Sequence, residues 1–248
     1  EFGFTVVDRA LAIEGQLLAG AFTSALVASI TGQPLLGLVA AMVAGVLVSF
    51  VLAAFSIKYF VDQVIVGVVL NVLVTGLTGF LFSQLLAPNA TTLNAPPRFE
   101  RINIPFLSEI PLIGPVLFRQ TIIVYIMYIA VFVVWFALFK TKWGLRLRSV
   151  GEHPQAADTV GINVLRTRYR AVIAGGAVAG FAGTWFTLDA VSGFDENMTA
   201  GRGFIALAAL IFGRWNPVGA FVAALVFGFS EELAGRLALL DTPLPSEL

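Results

Sequence analysis

The sequence predicts an all-α fold: a polytopic bundle of transmembrane helices, some broken or re-entrant, with one short helix in a polar loop. Three observations carry that expectation. The 248 residues are 58% hydrophobic and 12% charged, with mean hydropathy +0.91. Soluble domains carry about 25% charged residues, so this chain is written for an apolar solvent. Its uncharged runs are long enough to cross a bilayer. Its charge is concentrated in one basic stretch rather than spread along helix faces. Formal net charge is zero, so no nucleic-acid partner is expected. The absence of cysteine excludes disulfides, zinc–thiolate sites and thiol catalysis.

A hydrocarbon core of about 30 Å takes about 20 apolar residues as helix. Ala10–Ile30 fits apart from Glu14, a carboxylate within the run. Pro34–Ile57 is free of charge, and so is Gln63–Ala87, where Gln63, Asn71 and Gln84 are polar insertions. Pro88–Gln120 holds six of the eleven prolines, which bars a long helix and favours an extended cover. Within it, "PFLSEIPLIGPVLF" reads as a short interfacial or re-entrant piece. Thr121–Phe139 and the glycine-rich Ala171–Leu188 are further spans. Two shorter apolar pieces, Gly203–Gly213 and Pro217–Ser230, flank "RWNP".

Orientation follows from basic residues in short loops. Residues 140–170 carry Lys140, Lys142, Arg146, Arg148, Arg166, Arg168 and Arg170 against Glu152 and Asp158, whereas Pro88–Gln120 is close to neutral. The basic loop is therefore expected in the cytoplasm and the proline-rich loop outside. Arg9 and Lys58 fall on the cytoplasmic side in the same scheme.

The basic loop contains "VGEHPQAADTVGI", with the sole histidine. Pro154 suits the first position of a helix and Gly161 a helix stop, while His153 before the proline is steered from the α region. This predicts about two helical turns over Pro154–Val160, with Ala156, Ala157 and Val160 on one face. A free helix of that length is unstable in water. Either it lies on its own protein or its small apolar face seats in a partner.

The stretch "TKWGLRLRSVGEHPQAADTVGINVLRTRYRAVIAGGAVAGFAG" resembles the cytoplasmic coupling segment of ABC importer permeases of the branched-chain amino acid and sugar type. "GFDENMTAGRGFIALAALIFGRWNPVGAFVAALVFG" and "IPFLSEIPLIGPVLF" extend the likeness, in particular to the branch for nucleosides and simple sugars. The resemblance covers most of 14–229. It implies one transmembrane permease domain over 1–248, with 140–170 as a cytoplasmic coupling loop. Gly151, Glu152, His153, Pro154, Ala156, Ala157, Val160 and Gly161 would then dock on a separate ABC ATPase subunit. His153 stands where the family usually has Asn. Of the family's Asn-Ile-Gly-x-Glu-Gly pattern only Glu14-Gly15 remains. Relative to the family, parts of the N- and C-terminal spans are expected to be missing.

The same resemblance implies a second permease subunit, identical or paralogous, an extracytoplasmic solute-binding protein, and a multi-pass place in a bacterial or archaeal inner membrane. No cofactor is expected on this chain. It has no Gly-x4-Gly-Lys-[Ser/Thr] loop, so ATP and Mg belong to the partner ATPase and the chain is not expected to be an enzyme. Solute pathways tend to lie at interrupted helices. Two stretches qualify, "EGQLLAG" with Glu14 and "TAGRGFIALAALIFG" with Gly203 and Phe204. Mid-span Asn71 is either a helix–helix hydrogen bond or a pathway contact. Glu14 is structural or a pathway group, and only five residues from Arg9 it fits a place near the cytoplasmic interface. Arg202 reads as an anchor at the outer interface. The rival reading is an autonomous secondary transporter or channel for a small polar solute. Such proteins place ionisable groups in mid-membrane, and none occurs in Pro34–Ile57, Gln63–Ala87 or Thr121–Phe139.

Overall fold

The computed structural model describes residues 12–103 and 118–239. The expectations for Arg9 and for most of "PFLSEIPLIGPVLF" lie outside the described residues. Helix α1 is Ile13–Thr31, α2 is Pro34–Ala53, and α3 is Gln63–Leu81. Both α2 and α3 run on into a π-helical turn, Ala54–Lys58 and Phe82–Leu86 respectively. A single turn, α4 (Ala90–Leu93), precedes strand β1 (Arg101–Asn103), which pairs antiparallel with β2 (Arg119–Thr121). Then come α5 (Ile122–Lys140), α6 (Lys142–Glu152), α7 (Pro154–Thr159) and α8 (Val164–Trp185), the last extended by a π-helical turn to Ala190. Two further helices, α9 (Arg202–Phe212) and α10 (Pro217–Leu239), complete the described chain. Six of these helices are long and apolar enough to cross a membrane: α1, α2, α3, α5, α8 and α10.

Local chemistry sets the helix ends. Gly32 closes α1 in a left-handed conformation (φ +67°), its N–H on the Ala28 carbonyl at 2.9 Å. Pro34 then opens α2, where its missing N–H costs nothing. Asp62 caps α3, its Oδ1 accepting from Val64 N at 2.8 Å.

The bundle is built around α1, which is the most buried of the six long helices, whereas α5 and α10 lie almost wholly on its surface. Small residues make this possible. Gly20 of α1, Gly45 of α2 and Gly176, Gly180 and Gly183 of α8 meet backbone to backbone, and a Cβ on any of them would overlap the facing helix. Such close approach replaces the hydrophobic drive that lipid cannot supply. Hydrogen bonds cross the seam: Ser24 Oγ and Thr187 Oγ1 lie 2.6 Å apart, and Gln16 Nε2 donates to Ser49 Oγ at 2.9 Å.

One end of the bundle is the basic loop. The other is closed by the proline-rich segment: Phe99 N donates to the Leu188 carbonyl, Arg98 Nη2 to the Val191 carbonyl, and Thr121 Oγ1 to Asp189 Oδ2. From there residues 191–201 turn inward without regular structure. Asn94 clamps this segment through both side-chain atoms, Nδ2 donating to the Phe194 carbonyl (2.8 Å) and Oδ1 accepting from Phe194 N (2.6 Å). The buried Phe194 ring packs edge-on to Phe22 and Phe82. Irregular backbone survives inside a membrane protein only when protein or water satisfies it, and here Asn94 and Glu14 do so.

Several expectations need correction. The last span is not the short Pro217–Ser230 but continues to Leu239, because its charges are paired: Glu231 with Arg202 and Glu232 with Arg236, each at 2.9 Å. The α8 helix begins at Val164, inside the basic stretch rather than at Ala171. Helix α1 starts at Ile13, so Glu14 stands in its first turn rather than within the run of the helix. The polar loop is more helical than foreseen, with α6 amphipathic and packed by Val150.

Candidate functional site

Two places gather the residues singled out by sequence. The first is the polar loop. Thr141 caps α6, its Oγ1 accepting from Gly144 N at 3.2 Å. His153 serves two helices through its backbone: its N–H donates to the Ser149 carbonyl, ending α6, and its carbonyl accepts from Ala157 N, starting α7. Its ring makes no capping bond. Pro154 occupies the first turn of α7. At the far end Gly161 adopts φ +81° and its N–H bonds the Asp158 carbonyl, while Ile162 N bonds the Ala157 carbonyl. That pair of bonds is the glycine-terminated motif that closes a helix. Asn163 Oδ1 then accepts from Arg166 N at 2.9 Å and opens α8. A six-residue helix is thus pinned at both ends to longer helices.

Ala156, Ala157 and Val160 all border one groove, as expected of a common face, but at different depths. Ala157 is 3% exposed, turned against its own chain, whereas Ala156 is exposed and Val160 is 74% exposed. Helix α7 ends at Thr159, with Val160 as its C-terminal cap residue. Glu152, His153 and Gly161 are exposed, and Gly151 and Pro154 half-buried. Between α6 and α7 lies an open groove of about 710 Å³, with Leu145, Ala156, Ala157, Val160 and Ile162 as its apolar lining and Lys142 and Arg146 as its basic flank.

The second place is a junction inside the bundle. Glu14, 7% exposed, spends both carboxylate oxygens on the start of α9. Oε1 accepts from Thr199 Oγ1 (2.6 Å) and Gly201 N (2.9 Å), and Oε2 from Gly203 N (2.6 Å). Asn71 Oδ1 of α3 accepts from Gly15 N at 2.9 Å, one of the unpaired donors in the first turn of α1. Two helix N-termini therefore converge on one carboxylate, and the partial positive charge of each favours it there. Gly201 supports the turn with φ +81°. Gly203 permits the contact, since a Cβ would lie 2.6 Å from Glu14 Oε2 and 2.7 Å from its Cα.

Three of the four proposed pathway residues, Glu14, Asn71 and Gly203, are thus brought together. Phe204 stands beside them, 47% exposed on the outer face of α9. The junction is not at the bundle's basic end: Asn71 lies eight residues, about 12 Å, into α3. Sequence reasoning missed Thr199 and the Asn94 clamp. Both are small polar residues in irregular segments, with no periodic pattern to betray them.

Comparison with known proteins settles the class. A family model described as branched-chain amino acid transport system / permease component matches residues 9–245. The chain belongs to that family. Among curated relatives, the guanosine ABC transporter permease protein NupQ of Bacillus subtilis is 43% identical over 245 residues, covering 95% of this chain and 76% of that protein. The nucleoside ABC transporter permease protein NupC of Lactococcus lactis is 40% identical, covering 90% and 72% respectively. A putative glucose ABC transporter permease protein, TsgC13 of Haloferax volcanii, is 37% identical, covering 94% and 70%. No solved structure matches the chain. With six helices among its described residues long and apolar enough to cross a membrane, this permease component is a multi-pass integral membrane protein. A permease component is a transport subunit and not itself an enzyme.

Proposed function

We propose that this permease component is the membrane subunit of an ATP-driven importer for a nucleoside or simple sugar, coupled to a separate ATPase through α7. The observation that carries the coupling assignment is a short helix fixed at both ends yet exposed along Ala156 and Val160 beside an open groove. A loop helix serving only its own fold would bury that face. Gly151, Glu152, His153, Pro154, Ala156, Val160 and Gly161 form the docking element in this reading, with Ala157 its internal anchor. The relatives' names support the solute class. ATP and Mg act on the partner ATPase. A second permease and an extracytoplasmic binding protein complete the assembly, the latter on the proline-rich end. The basic loop, residues 140–170, then faces the cytoplasm across the inner membrane.

The mechanical route follows the packing. A push on α7 reaches α8 through the Asn163 cap, then α1 and α2 through the glycine seam, then α9 through Glu14. The test is Val160→Glu in the assembled transporter in proteoliposomes. ATP-driven uptake is expected to fall at least about tenfold, equivalent to about 1.4 kcal/mol, with insertion of the permease intact. Undiminished uptake overturns the assignment. Ala157→Glu is the poorer probe, because it would also break the helix's own packing.

A further inference from the structure

Helix α6 sorts its side chains by face. Gly144 and Val150 turn inward: Val150 is buried, and a Cβ on Gly144 would overlap the carbonyls of Ala137 and Leu138 in α5. Two neighbouring cations lie on aromatic rings. Lys140 Nζ is 5.9 Å from the centroid of Trp135, and the Arg148 guanidinium is 5.1 Å from that of Phe139. Lys142, Leu145, Arg146, Ser149 and Glu152 recur at three- and four-residue spacing, so they share one further face, and that face is a wall of the groove beside α7. The wall has a direction. Lys142 and Arg146 stand in its first half, and Glu152, next to His153, closes it ten residues from Lys142, about 15 Å along the helix. Between the two ends Leu145 and Val160 are exposed, one from each side of the groove, with Ala157 buried below them.

An apolar centre between charges is the layout of a protein interface, whose core excludes water while its rim stays polar. Here the rim differs in sign at its two ends. An anionic lipid surface would be drawn to the cations and repelled by Glu152, whereas a polypeptide segment can answer both ends at once. We infer that the groove receives a segment of the partner ATPase that carries an acidic side chain at the Lys142–Arg146 end, an apolar side chain over Ala157, and a basic side chain at the Glu152 end. The inference rests on the coupling assignment proposed above and adds the partner's chemistry and the direction in which it seats. Reversed seating would set like charges against each other at both ends, so the groove is read in one sense only. Rim charges of this kind govern how fast and in which register partners meet more than how tightly they hold. The apolar centre supplies the hold.

Zero-length coupling in the assembled transporter tests the acidic contact. A water-soluble carbodiimide joins a carboxylate to an amine only where the two are already paired, and mass spectrometry reads the joined peptides. Lys142 should couple to an aspartate or glutamate of the ATPase, and Lys142→Arg, which keeps the charge and removes the amine, should abolish that product. Lys142 coupled only within the permease, while Val160→Glu still abolishes uptake, overturns the inference and leaves the coupling assignment standing. Undiminished uptake in Val160→Glu sinks that assignment and the inference with it. Binding kinetics decide independently, with the permease in nanodiscs of phosphatidylcholine. The double variant Lys142→Glu with Arg146→Glu should slow association of the ATPase at least about tenfold at low salt, and the deficit should shrink at high salt. Glu152→Lys should slow association as well, because it sets a cation before the partner's basic side chain. Unchanged association in either variant overturns the inference. So does a deficit that appears only once anionic phosphatidylglycerol is added, which would make the groove a headgroup site.

Discussion

Glu14 shows how much one residue can decide. Its carboxylate takes two backbone N–H groups and a hydroxyl, all within 2.9 Å and out of water. In Glu14→Gln one oxygen becomes an NH2 that confronts a donor, and a buried donor left unsatisfied costs about 1–3 kcal/mol. For a chain of this size that is a drop in melting temperature of several degrees at about 2–4 °C per kcal/mol. Thermal unfolding of the purified subunit in detergent would show it; an unchanged midpoint would mean the junction is not the lock described. Asn94→Ala releases the Phe194 backbone from both its side-chain bonds. Amide hydrogen exchange across 191–201 should then rise at least tenfold, while exchange in α1 is unaltered.

At the scale of the element, the seam between α1, α2 and α8 is the least forgiving feature. Gly180 faces the Ala41 carbonyl and the Gly45 backbone with no room for a side chain. Gly180→Leu therefore asks helices to separate, not side chains to repack, and the cost should exceed the 1–3 kcal/mol of about-average core overpacking. Size-exclusion chromatography of the membrane-extracted protein is expected to show loss of most of the monodisperse peak. Val178→Leu, two residues away on an exposed face, should leave it intact. The same glycines make α8 a smooth rail, which fits an element that carries motion from the loop to the core.

For the whole molecule, the packing divides a tight unit of α1, α2, α3 and α8 from the peripheral α5 and α10. A permease that is moved by a separate motor has no reason to conduct alone. The chain reconstituted by itself should give solute flux indistinguishable from empty vesicles, and flux should appear only with the ATPase and ATP. Steady flux from the chain alone would favour the secondary-transporter reading.

The sequence by itself determined the solvent, the long apolar spans to within a few residues at most of their ends, and the punctuation of the polar loop by Pro154 and Gly161. Those are local matters, settled by run length, composition and backbone preference. Only the tertiary structure decided that Ala157 turns inward while Val160 turns out, that α10 carries its charges to Leu239, and that Glu14 meets α9. Each depends on partners far along the chain: Arg202 and Glu231 are separated by 29 residues, Glu14 and Gly203 by 189. A carboxylate in an apolar run announces that it has a partner, but its sequence neighbours hold no record of which helix end supplies it.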